Sequence, residues 1–189
     1  RDFRYPDEVC ATIRKNALES ELADNQMGVK GRMGAINFPF PKSGLEALWN
    51  TLLPTRAYTE ENSADAVNVL SNGSIVYGRN ESRYLSPYND PANMGLPMPE
   101  VTSYAFTKTH LPDLEKGSVI IAVEPANYGI NKRLGWMYDP GTRRVRQLPE
   151  YGFDQPLGGS GGKMTIDSDR LFNGSPERYN WKLLGKREM

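Results

Sequence analysis

The stretch from Leu134 to Leu148, LGWMYDPGTRRVRQL, constrains the fold more than any other part of the chain. A short aromatic run, Leu134 to Asp139, meets Asp139-Pro140-Gly141-Thr142 and then a basic, β-branched run, Arg143 to Gln147. Proline presets φ at the first corner of a turn and glycine accepts positive φ at the second, so a type II turn with Gly141 at positive φ is expected. Two strand-type runs around such a turn predict a β-hairpin. Alternation along the second run sends Arg144 and Arg146 to one face, and Arg143 with Val145 to the other.

Other segments point the same way. Ala66 to Leu70 and Ile75 to Tyr77 flank Ser71-Asn72-Gly73-Ser74, and Asn-Gly is the strongest short hairpin signal. Val101 to Thr109 and Ser118 to Glu124 have strand composition, joined by Pro112 to Gly117. The second is apolar on both faces through Val119-Ile120-Ile121-Ala122-Val123, which predicts a central strand. Eighteen glycines, 14 prolines and 10 tyrosines in 189 residues favour a loop-rich β protein over a helical bundle. Pro87 to Pro99 reads as a loop of low structural content. Beyond the opening hairpin come a Gly-rich loop (Gly158 to Gly162), a short element around Ile166 to Phe172, and a last strand from Tyr179 to Arg187.

Two helices are expected before the strands. Pro6 to about Asn16 combines proline and acids in the first turn with Val9, Ile13 and Ala17 four apart. Ala17 to Leu22 is ambiguous between helix and strand. Asn25 to Gly34 reads as a turn entering a strand that ends at Phe38-Pro39-Phe40-Pro41. Ser43-Gly44-Leu45-Glu46 then fits a capping box, in which hydroxyl and carboxylate each satisfy an unpaired backbone N–H. Leu45, Leu48, Trp49 and Leu52 form one apolar stripe, and Pro54 stops the helix. Such a helix docks on something apolar, as core or as the cap over a lipid cavity.

Charge and cysteine usage exclude several function classes. Lys+Arg and Asp+Glu both number 23, so the nucleic-acid binder's basic excess is missing. Arg143, Arg144 and Arg146 form a solvated face, or a contact for an anionic partner. Cys10 is the only cysteine, so no internal disulfide or thiolate metal site can form, and it reads as a small hydrophobe in a helix. His110 is the only histidine, which argues against a Cys/His enzyme or a His-based metal centre. No cofactor or metal is therefore expected. Gly158-Gly159-Ser160-Gly161-Gly162-Lys163 approaches a phosphate loop, but Met164 replaces its Ser/Thr. Asp167 and Asp169, with Asp154 and Glu150, could supply a glycosidase's paired carboxylates, though capping ahead of Leu171-Phe172 is the simpler account. No stretch reaches the ~18 apolar residues of a membrane span. The chain opens at Arg1 with neither Met nor an apolar leader, as expected of a processed or trimmed piece.

Three segments carry a family resemblance: Phe38 to Asn50 (FPFPKSGLEALWN), Tyr138 to Arg146 (YDPGTRRVR) and Leu171 to Lys186 (LFNGSPERYNWKLLGK). Together they resemble the exported proteobacterial domain-of-unknown-function 1329 proteins, often labelled outer-membrane lipoprotein-sorting proteins and related to the LolA/LolB-like group. The resemblance implies a mainly β (α+β) fold, in which a curved, incompletely closed antiparallel sheet carries a short helical cap over an apolar cavity. It also implies a periplasmic location, association with the outer membrane or a lipid-handling transporter, and no established activity. Family members continue past the equivalent of Met189, so the chain is expected to be a single, partial domain. Residues 1–42 would form a helix and extended lead-in, and 43–189 a helix with antiparallel strands. The strand Tyr179 to Arg187 would then pair with a second fragment or chain.

The expected function is a non-enzymatic carrier of a lipid or lipid-like hydrophobic ligand. Trp49, Tyr104, Phe106, Val119, Ile121, Trp136 and Tyr138 are the cavity candidates, with Leu45, Leu48 and Leu52 on the cap helix. The main rival is an outer-membrane or transporter-associated adaptor without a ligand, its sheet edge docking a partner strand. A carbohydrate-active enzyme using Asp167 and Asp169 ranks third. Cavity volume separates the first two.

Overall fold

The computed structural model describes residues 4–149, 151–157, 160, 162–168 and 171–186. Its centre is a six-stranded antiparallel meander in which every strand pairs with its sequence neighbour: β3 (Thr59–Val69), β4 (Ile75–Leu85), β5 (Val101–Leu111), β6 (Val119–Pro125), β7 (Leu134–Asp139) and β8 (Arg144–Leu148). The sheet does not close into a barrel, and β6 lies inside it as its two apolar faces require. Two α-helices, α1 (Asp7–Glu19) and α2 (Gly44–Leu52), and a two-residue ribbon, β1 (Glu21–Leu22) with β2 (Val29–Lys30), precede it. The expected mainly β class, an open antiparallel sheet with a short helix, holds.

The β3–β4 hairpin is longer than composition suggests. Glu61 and Asp65 interrupt the apolar alternation of β3, but each stands directly opposite an arginine of β4. Arg83 pairs with Glu61 at 3.1 Å and Arg79 with Asp65 at 2.6 Å. Opposite charges across a ladder stabilise it, and a charged outer strand resists stray pairing.

Ser43 caps α2: its Oγ accepts from the Glu46 N–H at 3.2 Å, while Glu46 Oε2 accepts from the Lys42 N–H at 2.6 Å. Leu48 and Trp49 are buried and the helix ends at Leu52, ahead of Pro54. The expected strand ending at Phe38-Pro39-Phe40-Pro41 is absent. The two prolines cannot donate to a ladder, and Asn50 replaces one, accepting from the Phe38 N–H at 3.0 Å and donating to its carbonyl at 2.7 Å.

The main core sits beside the sheet, where Val29, Met33, Phe38, Trp49, Leu53 and Tyr88 pack together. Tyr88 comes from the Pro-rich loop expected to carry little structure. That loop instead forms two 3-10 turns, Pro87–Asn89 and Pro91–Asn93, and drives its tyrosine inward.

The expected last strand, Tyr179 to Arg187, is not a strand: Tyr179 to Lys186 pairs with no other strand, and Arg187 lies outside the described residues. Its aromatic side chains pack ring against ring instead, over the buried Phe172, with Trp181 half-buried and Tyr179 exposed. Phe172 meets Trp181 edge-on at 4.8 Å and Tyr179 at 6.0 Å, with Phe153 on its other side at 6.0 Å. The segment then crosses the start of α2 so closely that a Cβ on Gly44 would lie 2.5 Å from the Trp181 carbonyl carbon. Only glycine permits that approach.

Candidate functional site

The sheet has two unlike faces, and the register assigns each side chain to one of them. Ser82, Thr107 and Ile120 share one face, as do Tyr84, Ala105 and Ala122 in the next row. This face is covered by the segment after β8, which contributes Tyr151, Leu157, Ile166 and Phe172, with Leu52 at the end of α2 beside them. Between them lies a cavity of ≈ 90 Å³, floored by Ala105 and Ala122 and flanked by Leu52. Glu124 and Arg133 close one end, their Oε2 and Nε 2.9 Å apart and both largely buried. Tyr128 donates its hydroxyl to Glu124, and Arg133 also donates to the Asn173 carbonyl at 3.2 Å and stacks over the Tyr151 ring. A site for a drug-sized ligand spans about 300 Å³ or more, so this cavity does not hold an acyl chain.

The seven cavity candidates lie elsewhere. Trp49 is 1% exposed, within the core and against the Tyr128 ring at 6.0 Å. The other six all share the opposite, open face. Phe106, Ile121 and Trp136 make one row across β5, β6 and β7, with Val119 and Tyr138 opposite each other in the next and Tyr104 beyond. None of them lines the cavity, because alternation turns Ala105, Ile120 and Ala122 inward and these residues outward. Tyr104 and Ile121 remain 40% and 42% exposed. The six are thus brought together, but as an open apolar surface. Of the cap residues, Leu52 lines the cavity, Leu48 is buried and Leu45 half-buried. Sequence reasoning missed the covered face, although its signal is present: Ala105, Ala122 and Gly135 form one row of small residues beneath the covering segment.

The open face changes character towards β3 and β4. Arg79, Glu81 and Arg83 replace apolar residues there, facing Glu61, Ser63 and Asp65. Glu81 pairs with Arg83 at 2.9 Å and with the His110 ring at 3.3 Å. A β-bulge between Arg79 and Asn80 accommodates His110, and a broad groove of ≈ 620 Å³ follows this strip to Lys116.

The remaining chemical candidates make local contacts where they are described. Asp167 accepts from the Asn173 N–H at 2.8 Å, a loop cap. Asp154 pairs with Arg178 at 3.0 Å, and the guanidinium holds its carboxyl below the usual carboxylate range. Asp169, Glu150, Gly158, Gly159 and Gly161 lie outside the described residues. Among the described residues no three His, Cys, Asp or Glu side chains gather to hold a metal, and no helix is long and apolar enough to cross a membrane. Cys10, on α1, directs its thiol to the Tyr5 carbonyl at 3.6 Å.

The fold is thus an open antiparallel meander, packed on one face and largely apolar on the other. The chain belongs to a family of proteins of unknown function, DUF1329, whose model matches residues 1–189. It is 31% identical over 196 residues to an uncharacterized protein of Pseudomonas aeruginosa, PA3922, covering 100% of this chain and 42% of that protein. The chain therefore spans less than half the length of that relative. No solved structure matches it.

Proposed function

We propose that this chain is part of a non-enzymatic carrier for a lipid or lipid-like molecule held against the open face of the sheet. The capped cavity that the LolA/LolB-like resemblance implies measures ≈ 90 Å³, too small for such a ligand, and by volume alone favours the adaptor. The observation that carries this reading is the single-sided display of Tyr104, Phe106, Val119, Ile121, Trp136 and Tyr138. Contiguous exposed apolar surface on a folded protein marks a ligand or partner site. Each buried methylene contributes about 0.8 kcal/mol, so one long acyl chain against this face offsets the cost of association without polar chemistry. Micromolar affinity needs about 8 kcal/mol, within reach of a dozen methylenes. A periplasmic setting, with hand-over at the outer membrane or to a transporter protein, is part of the proposal and rests on the resemblance carried by Phe38 to Asn50, Tyr138 to Arg146 and Leu171 to Lys186.

A fluorescent fatty-acyl probe tests it. The full-length protein should bind the probe at low-micromolar concentration, Trp136→Asp should weaken binding at least tenfold, and Trp136→Phe should retain it. An intact protein that leaves the probe free would transfer the open face to a protein partner, the adaptor alternative.

A further inference from the structure

Strand β4 pairs with β3 as far as Val69 opposite Ile75, but with β5 only as far as Arg79 opposite Leu111. Residues 66–78 therefore form an arm that outruns β5 by about 13 Å, four residue pairs at about 3.3 Å each. One side of the arm is packed: Gly78 is buried, and Asn68 donates to the Ser160 carbonyl at 3.4 Å. The other side continues the open face and is bare. Val67 stands opposite Tyr77 and Val69 opposite Ile75, and all four are exposed, by 55%, 58%, 70% and 52% in that order.

None of the residues from Ala66 to Gly78 is charged; charge begins one step further in, at the Asp65–Arg79 pair. Charges are what shield exposed strands from unwanted contacts, so an uncharged apolar arm is a surface suited to being covered. A second protrusion lies at the same end of the sheet. The β5–β6 connection leaves at the base of the arm, just after Leu111, and carries Leu114, which is almost fully exposed.

Two separate apolar protrusions at one end of a sheet fit a plane better than a groove. A folded partner needs a pocket for each, whereas the boundary layer of a bilayer accepts any apolar side chain that reaches it. The order of residues along the arm matches that layer. Aliphatic Val69 and Ile75 lie outermost, and the Tyr77 ring, amphipathic and suited to the headgroup level, comes next. The charged Asp65–Arg79 pair follows, where water begins. The turn from Ser71 to Ser74 is polar but uncharged, and so is compatible with headgroups.

We propose that the arm of residues 66–78, together with Leu114, docks the protein on the surface of a lipid bilayer. This rests on the carrier proposal and names where the carrier meets its lipid. Tyr77 shares its face with Arg83, and Arg83 stands opposite Phe106 in the row that runs on through Ile121 and Trp136. A lipid leaving the bilayer at the arm thus reaches the apolar rows without crossing to the other side of the sheet.

Flotation of the full-length protein with phosphatidylcholine vesicles is the test. The protein should float with the vesicles equally well at low and high salt, since the contact is apolar. Val69→Thr combined with Ile75→Thr keeps the β-branching and the ladder but removes apolar surface. The pair should lower the bound fraction about fivefold or more, with the melting temperature and the binding of the fatty-acyl probe unchanged. Brominated lipid should quench the added tryptophan of Tyr77→Trp beyond the quenching of the parent protein. It should not do so for Ile130→Trp, exposed on the β6–β7 connection at the far end of the sheet. Failure to float, binding that disappears with salt, or quenching at position 130 in place of 77 overturns the inference; the carrier proposal then stands if the probe still binds. Docking through the arm by a protein that leaves the probe free overturns the carrier proposal and leaves the arm as a membrane contact.

Discussion

Asn37 and Tyr88, 51 residues apart in sequence, meet inside the core: the Asn37 amide donates to the Tyr88 hydroxyl at 2.9 Å. The Tyr88 hydroxyl in turn donates to the Ala35 carbonyl, and both side chains are almost completely buried. Burial pushes the Tyr88 phenol far above its ordinary range, so it stays a neutral donor at any physiological pH. The pair ties the Pro87–Asn89 turn to the chain ahead of α2.

Tyr88→Phe keeps the ring and its packing but removes the hydroxyl that serves both partners. Leaving a buried carbonyl and amide short of a partner costs about 1–3 kcal/mol. Urea denaturation should show that loss as a lower midpoint with an unchanged slope. An unaltered midpoint would mean that water replaces the hydroxyl.

Asn16 performs a similar task for α1. Its amide donates to the Arg32 and Ile36 carbonyls at 3.1 and 3.2 Å, and its carbonyl oxygen accepts from the Arg32 N–H at 2.9 Å. Asn16→Ala improves helix propensity yet strands three backbone groups, so thermal unfolding should report a net loss of about 2–3 kcal/mol. A gain in stability would show that the clamp contributes less than helix propensity.

What was legible in the sequence was local. The Leu134–Asp139 strand, the Asn72-Gly73 hairpin and the Ser43 cap each lie within a few residues and depend on backbone chemistry that the residue type fixes. The inner position of β6 was legible for the same reason, yet that very property hid the orientation. With Ile120 and Ile121 on opposite faces of one strand, alternation cannot say which of them meets the covering segment. Trp181 and Tyr179 misled because aromatic residues suit a strand and a ring cluster equally, and only the close approach at Gly44 distinguishes them. The six open-face residues share one face of the sheet, and it is not the face on which the small cavity lies.

The helix cap gives a direct test. Ser43→Ala removes the acceptor of the Glu46 N–H and should lower stability by about 1 kcal/mol, whereas Ser43→Asp should hold it. Equal melting temperatures for all three proteins would show that the Glu46–Lys42 contact suffices alone.

The turn of the β7–β8 hairpin departs from the expected type. Gly141 is not at positive φ; that conformation falls on Arg143, at φ 55°, which places Arg143 in the turn rather than on the strand face it was expected to share with Val145. The Asp139 carboxylate organises the corner instead, accepting from the Gly141 N–H at 2.8 Å and the Thr142 N–H at 3.4 Å. Arg143→Gly should therefore stabilise the protein by about 0.5–1 kcal/mol, while Gly141→Ala, whose Cβ would sit 3.2 Å from Asp139 Oδ1, should gain nothing and cost at most about 1 kcal/mol. Thermal melts of the two variants decide between the turns, because the type II geometry demands the reverse order.

The same carboxylate sets an acid limit on the fold. Hydrogen bonds from the Gly141 and Thr142 N–H groups hold the Asp139 carboxyl below its ordinary value, and the Arg79 guanidinium does the same for Asp65. A carboxyl whose folded value is depressed stabilises the folded state fully above the unfolded value of about 3.9, and that contribution disappears as pH falls through the folded value. Stability should thus decline as pH is lowered from about 4. Asp139→Asn keeps an oxygen that accepts from both N–H groups while removing the titration. Melting temperatures of the parent and Asp139→Asn should differ least in strong acid, with the parent pulling ahead as the pH rises towards the unfolded value of about 3.9. Parallel curves across that range would show that the Asp139 charge contributes nothing to the turn beyond its shape.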